Sequence, residues 1–339
     1  MVDKEKNVKH RPGKINLRGK PSSMEDILAI AKDNEIIQFK KSTYPIVDQY
    51  IIQKELTFTH GKRNQQQVLI DTRIKRDKPF NESGFLLAGH KPVLFTQFNI
   101  KLGQEMIAID TQKDYSGDIT FNQVDLRYQR QYFTKAVPTY YPAIRIYGKG
   151  KVIINQSYLE SIYIDAPDRD VIIDHSQLGN FYTASYIKAK SITIQTSTIN
   201  NTQLETANGK FFQLTTNGGL GLNGHFKGQE TYLHPIPYQS MTNLPEIMTY
   251  IVTSPHTVLD IDKISSEEKT DKPFYRHFQF NQSKIRISNG RLLKPQVLKN
   301  IINHSKFYGD KDILGDQLID PTNEDILFDN QQIKQYLKE

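Results

Sequence analysis

The chain has 339 residues, 37% of them hydrophobic and 24% charged, with a formal net charge of +7 and neither cysteine nor tryptophan. Without cysteine there is no disulfide framework, zinc–thiolate site or thiol nucleophile, and no run of about 18 apolar residues reads as a membrane-spanning helix. Tyr (18) and Phe (17) are abundant, alongside Ile, Asn, Gln and Thr, a mixture that suits short strands and polar turns better than helices.

Residues 1–21 read as a basic, disordered arm: Lys4, Lys6, Lys9, Arg11, Lys14, Arg18 and Lys20 face only Asp3 and Glu5. The arm lacks the apolar stretch of a secretory signal. The simplest expectation is a cytoplasmic protein, although a mature or cloned fragment of a surface protein would look the same. Next, "SSMEDILAIAKDN" (22–34) predicts a helix, with Ser22 and Glu25 at capping-box spacing and Met24, Ile27, Leu28 and Ala31 on one face.

From there a repeat takes over. "VIINQSYLES" (152–161), "VIIDHSQLGN" (171–180), "ITIQTSTINN" (192–201) and, more loosely, "FQLTTNGGLG" (212–221) start 19, 21 and 20 residues apart. Weaker copies begin at Leu56, Val93 and Ile119. The shared template is apolar-x-apolar, a short polar residue, then an apolar residue seven positions after the first. Two apolar residues at spacing two share one strand face, and the polar residue marks a turn. The later apolar residue (Ile100, Leu126, Leu159, Leu178) returns to the same core. A unit this short cannot bury its own apolar face, but a stack of such units can. Beyond about residue 235 the pattern changes: "KPQVLKNIINHSKFYG" and "NEDILFDNQQIKQYLK" predict two helices. Residues 236–339 therefore read as a small α+β cap with an acidic tail, eight acids against three lysines over 310–339.

The repeat at 22–235 resembles the right-handed parallel β-helices of the pectin-lyase-like superfamily. In that superfamily a short helix caps the open end, and Ile37, Phe39, Tyr44, Ile52, Lys54, Leu56, Phe58 and Gly61 fit the usual first turn. The resemblance implies an all-β solenoid with an N-terminal capping helix and a C-terminal cap. It leaves the function open, because this scaffold carries lyases, hydrolases, adhesins and phage spikes.

Three stretches compete for the function. Lyases of the superfamily carry an Asp-His pair like the one in "VIIDH", but Asp174 and His175 occupy template positions shared with Asn155 and Gln156, so the scaffold explains them. "DAPDRD" holds Asp165, Asp168 and Asp170, which could take Ca²⁺ through oxygen ligands, although turn chemistry with Arg169 neutralising the charge accounts for them equally well. The third stretch is an excursion: the turn from Ile119 to Val152 takes 33 residues, and its extra length lies in 126–151. There Arg127, Arg130, Lys135, Arg145, Lys149 and Lys151 meet no acid, beside Tyr128, Tyr132, Phe133, Tyr140, Tyr141 and Tyr147. The alternation in "AIRIYG" sends Ile144 and Ile146 inward, and Arg145 and Tyr147 outward. Basic and aromatic side chains together suit carboxylate or phosphate groups on a polymer.

The expected function is binding of an anionic polymer, a uronate polysaccharide or teichoic-acid-like glycopolymer, without catalysis or cofactor. The predicted binding residues are Arg127, Tyr128, Arg130, Tyr132, Lys135, Tyr140, Tyr141, Arg145, Tyr147 and Lys149. The alternatives are a divergent Ca²⁺-dependent polysaccharide lyase or hydrolase around Asp165–His175, and a phage-type or cellular scaffold whose oppositely charged ends join neighbouring copies. Nucleic acid is the least favoured partner, because the cations form no single stripe.

Overall fold

A computed structural model describes residues 8–11, 14–17, 24–40, 43–46, 48–60, 67–70, 83–103, 107–128, 142–179, 183–234, 236–239, 245–266, 274–292, 297–309, 313 and 326–327. The protein is all-β. The helix Met24–Ile30 sits inside the predicted 22–34 and buries Met24 and Ile27, with Ala31 buried just beyond it. The helix has no basic residue in its last turn. Lys54 supplies one from the bend between the strands Tyr50–Ile52 and Leu56–Thr59, donating to Leu28 O at 2.7 Å and Ala31 O at 2.6 Å, which satisfies carbonyls the helix cannot pair itself. The chain divides into two compact units, Met1–Ala189 and Lys190–Glu339.

The first unit is built on three ladders of parallel strands. In the first, Ile15, Ile37, Phe58, Phe95, Phe121, Ile154 and Ile173 are successive register partners. All seven are buried completely. Phe58 stacks on Phe95 with centroids 5.3 Å apart, and Phe95 on Phe121 at 5.6 Å. The second ladder aligns Tyr44, Val68, Ile100, Leu126, Leu159 and Leu178. The third aligns Tyr50, Phe85, Ile109, Ile144 and Ile162. The template positions expected to share a face therefore do so, and side-chain alternation gives strands such as Val93–Leu102 their regular inward and outward pattern.

Single strands serve two ladders. Val93–Leu102 and Ile119–Tyr128 each run from the first ladder into the second. Ile162–Asp174 runs from the third into the first. The pairing diagram is thereby a closed circuit of parallel strands.

Between the first and second ladders the chain turns through Gln97, Gln123, Gln156 and His175, all at positive φ (44° to 55°). That conformation costs a non-glycine residue about 1 kcal/mol or more, and side-chain ladders offset it. Gln97 Nε2 donates to Gln123 Oε1 at 3.2 Å, and Gln123 Nε2 to Gln156 Oε1 at 2.9 Å. One residue earlier, Asn155 donates to Asn122, and Asn122 to Thr96. One residue later, the Ser157 amide donates to Ser176 Oγ at 3.0 Å.

The second unit continues in the same manner well past residue 235. Pro245–Thr253, Phe274–Asn281 and Val297–Asn303 pair in parallel, as do Val258–Ser265, Lys284–Arg291 and Lys306–Gly309. Of the helix expected at 294–309, the described residues 297–309 are thus a strand, a turn at His304 (φ 47°) and a second strand. Its apolar residues Val297, Leu298, Ile301 and Ile302 fit a helical period, but partner strands were available and Asn303-His304-Ser305 repeats the turn of Asn281-Gln282-Ser283. The Ser283 amide donates to Ser305 Oγ at 2.9 Å, as Ser157 does to Ser176. Of the second expected helix, only Ile326–Leu327 is described, as a strand paired with Phe307–Tyr308.

Candidate functional site

The excursion at 126–151 is described at its two ends. Arg130, Tyr132, Lys135, Tyr140 and Tyr141 lie outside the described residues, as does most of the acidic tail, whereas the basic arm expected to be disordered contains an antiparallel strand pair, Val8–Arg11 with Lys14–Leu17, because Ile15 enters the first ladder beside Ile37. Tyr128 is a core residue, 2% exposed, and its amide donates to Glu160 Oε2 at 2.6 Å. Its ring is therefore not available to a ligand, because register places it inside the second ladder opposite Leu102.

Arg127 and Arg145 were expected as free cations and are ion-paired instead. Arg127 Nε lies 2.6 Å from Asp125 Oδ1, with its guanidinium 4.3 Å from the centroid of Tyr158. Arg145 grips Asp110 with a fork, Nε to Oδ1 at 3.0 Å and Nη2 to Oδ2 at 2.6 Å. Asp110 is its register partner one turn of chain earlier, and pairing with this 7%-exposed carboxylate holds the guanidinium above its ordinary pKa. Asp125 lies just outside the excursion, two residues before Arg127, whereas Asp110 is 35 residues from Arg145 and is brought to it only by the register.

Ile144 and Ile146 are buried, and Arg145 and Tyr147 point outward, as the alternation predicted. On that outward side three tyrosines form a row. Tyr147 meets Tyr163 edge-on at 6.2 Å, and Tyr163 stacks on Tyr186 at 5.2 Å. The stacked pair turn their faces to each other, so they offer ring edges and hydroxyls. Burial, then the Asp165 carboxylate and Tyr147, raise the Tyr163 pKa, which keeps its hydroxyl a donor. Lys113 Nζ and the Arg145 guanidinium lie 6.0 Å and 5.9 Å from the Tyr147 centroid.

Beside Tyr147 opens a cleft of about 530 Å³ lined by Lys113, Asp114, Tyr147, Gly148, Lys149, Asp165, Pro167 and Asp168. It unites two residues from the predicted binding stretch, Tyr147 and Lys149, with two from the predicted metal stretch, Asp165 and Asp168. Lys113 and Asp114 are additions that only the fold reveals. They sit about 35 residues upstream in a loop with no unusual composition.

The floor of the cleft is pinned from below. Arg169 is fully buried and donates to four carbonyls: Tyr147 O (2.9 Å), Gly117 O (3.0 Å), Tyr115 O (3.1 Å) and Lys151 O (3.4 Å). Desolvation lowers its pKa to about 10. The expectation that Arg169 neutralises the aspartates beside it is therefore corrected. Strand alternation turns Arg169 inward and Asp168 outward, and "DAPDRD" is part of the strand Ile162–Asp174 rather than a turn. The Tyr115 ring lies 5.4 Å from the guanidinium, and its hydroxyl donates to Lys91 O at 2.6 Å. Gly148, at φ 80°, passes so close to Tyr115 that a Cβ would stand 2.0 Å from its carbonyl oxygen. These contacts hold the backbone beneath Tyr147 and Lys149 in one conformation.

Among the described residues, which include Asp165, Asp168 and Asp170, no group of three His, Asp or Glu side chains gathers where a metal ion could be held. Asp174 and His175 pair with each other at 2.7 Å and are 31% and 59% exposed. Asp174 is the register partner of Asn155, and His175 takes the same positive-φ place as Gln156. Comparison with family models, curated proteins and solved structures found no match for this chain.

Proposed function

We propose that the protein is a right-handed parallel β-helix of the pectin-lyase-like kind that binds an acidic glycan polymer without cleaving it. Two observations favour a β-helix over a closed barrel. Register partners in the first ladder are 19 to 37 residues apart, and the chain between them is occupied by strands of the other ladders. A parallel barrel needs its crossovers outside the sheet, usually as helices. Single strands shared by two ladders are natural when the chain winds around one core.

The observation that carries the binding reading is the tyrosine row ending at the cleft, with lysines and carboxylates around Tyr147. Tyrosine hydroxyls and carboxylates hydrogen-bond sugar hydroxyls, and Lys113 and Lys149 meet acidic groups. A rigid floor reduces the ordering cost of binding. Catalysis is disfavoured because Asp174 and His175 repeat the scaffold.

The test is retention on immobilised polygalacturonate, teichoic acid, heparin and DNA at physiological salt. The Tyr147→Ala/Lys149→Gln variant should lose about tenfold or more in affinity for one selected polymer, which corresponds to about 1.4 kcal/mol of lost contact, with its unfolding temperature unchanged. Equal retention on every polyanion, or retention unchanged in the variant, would sink the reading.

A further inference from the structure

Some charged side chains of the first unit are paired within it. Lys91 pairs with Asp33 at 3.0 Å, Arg127 with Asp125 at 2.6 Å and Arg145 with Asp110 at 2.6 Å. The cleft collects two ammonium groups, Lys113 and Lys149, and three carboxylates, Asp114, Asp165 and Asp168. Among the described residues none of these five side chains makes an ion pair or hydrogen bond. Charges of both signs thus surround one opening without neutralising each other.

A purely anionic ligand fits this lining poorly. It would satisfy the lysines, but three carboxylates would repel it and be left facing it unpaired. Covering an ionised group without giving it a partner is costly. A neutral sugar would leave both signs unmatched. A unit carrying an ammonium close to an anion can meet both. Resting on the glycan reading above, we infer that the cleft is selective for a zwitterionic unit: a glycopolymer repeat in which a free amine accompanies a phosphate or carboxylate. The lysines take the anion, and Asp165 and Asp168 take the ammonium.

The probe is a glycerol-phosphate teichoic acid carrying D-alanyl esters, compared with the same polymer after mild alkaline hydrolysis removes the esters and their amines. Polygalacturonate serves as an anion-only control. Binding is measured by surface plasmon resonance at 150 mM salt. The esterified polymer should bind about tenfold more tightly than the hydrolysed one. Asp165→Asn/Asp168→Asn should abolish that difference, and Lys113→Gln/Lys149→Gln should weaken both forms. All four side chains reach solvent, and unchanged circular dichroism and unfolding temperature would confirm that the variants fold. Equal or tighter binding of the hydrolysed form, or retention of polygalacturonate alone, overturns the zwitterion inference and leaves the acidic-glycan reading standing. Failure of all three polymers to bind overturns both.

Discussion

Two places in the first unit bring acids, bases and aromatic or amide groups to the surface, and they do so for different reasons. The corner at Asp174 and His175 is periodic. Each side chain has a counterpart one turn of chain earlier, and the serines, amides and carboxylate there satisfy one another and the backbone. The cleft at Tyr147 and Lys149 breaks the period. Its residues come from a loop at 112–118, a strand end at 147–149 and the strand 162–174, and its charges lack partners among the described residues. In a repetitive scaffold, polar groups that repeat are explained by the repeat. Groups that converge without repeating need another explanation.

The comparison breaks most severely at Arg169. Replacing it with Met leaves the carbonyls of Tyr115, Gly117, Tyr147 and Lys151 without their shared donor, all close to a buried guanidinium site. Stability should fall by about 3–5 kcal/mol, the usual cost of leaving buried polar groups unpaired, as read by urea denaturation. A loss under about 1 kcal/mol would mean that water can replace the guanidinium and that the floor is not rigid.

Gly148→Ala should cost about 2 kcal/mol or more, since it adds a Cβ against Tyr115 O and forces alanine to a positive φ. Polymer affinity should fall with it, because Tyr147 and Lys149 flank the shifted backbone. Full affinity in a destabilised Gly148→Ala protein would separate the cleft from its floor.

Asn155→Ala should cost about 1–2 kcal/mol, because Asn155 donates to Asn122 in the middle of the amide ladder. His175→Gly relieves a positive φ of 44° and should change stability by less than about 0.5 kcal/mol. It should also leave polymer binding intact. A large functional loss in His175→Gly would return the corner to candidacy as an active site.

A separate expected effect is a pH dependence from His60. Its side chain is packed between Phe39 and Phe98, with the Phe98 ring stacked at 4.8 Å. Burial, outweighing hydrogen bonds to backbone carbonyls, lowers its pKa below the ordinary histidine value. The unfolded chain therefore binds a proton before the folded one does. Stability should be full above the ordinary histidine pKa and fall as pH drops below it, by at most about 1.4 kcal/mol per pH unit. A series of urea midpoints between pH 7 and pH 5 measures the slope, and His60→Gln should flatten it. An unchanged slope in the variant would assign the effect to other groups.

What the sequence determined by itself was the repeat. Apolar residues at spacing two and a polar turn residue at a fixed offset dictate which side chains share a face, so the register of Ile154 with Ile173, and the burial of Ile144 and Ile146, could be read before any coordinates. The same logic identified Asp174 and His175 as members of a ladder. The repeat at residues 278–309 was equally present in "FQFNQSKIRI" and "IINHSKFYG", but the apolar spacing at 297–302 also suits a helix, and periodicity alone does not choose between the two. Only the tertiary structure decided that choice, by offering partner strands. It also decided which charges are free. Ion pairs such as Arg145 with Asp110, and the meeting of Lys113 with Lys149 and Asp165, join residues of different turns, and the excursion between those turns makes their sequence separation irregular. Whether Arg169 faces a solvent-exposed acid or four buried carbonyls likewise depends on the strand's alternation at a point where the local sequence reads as a turn. Short-range pattern sets the scaffold because strand geometry is local. The cleft depends on which turns of chain lie side by side, and that is settled by packing.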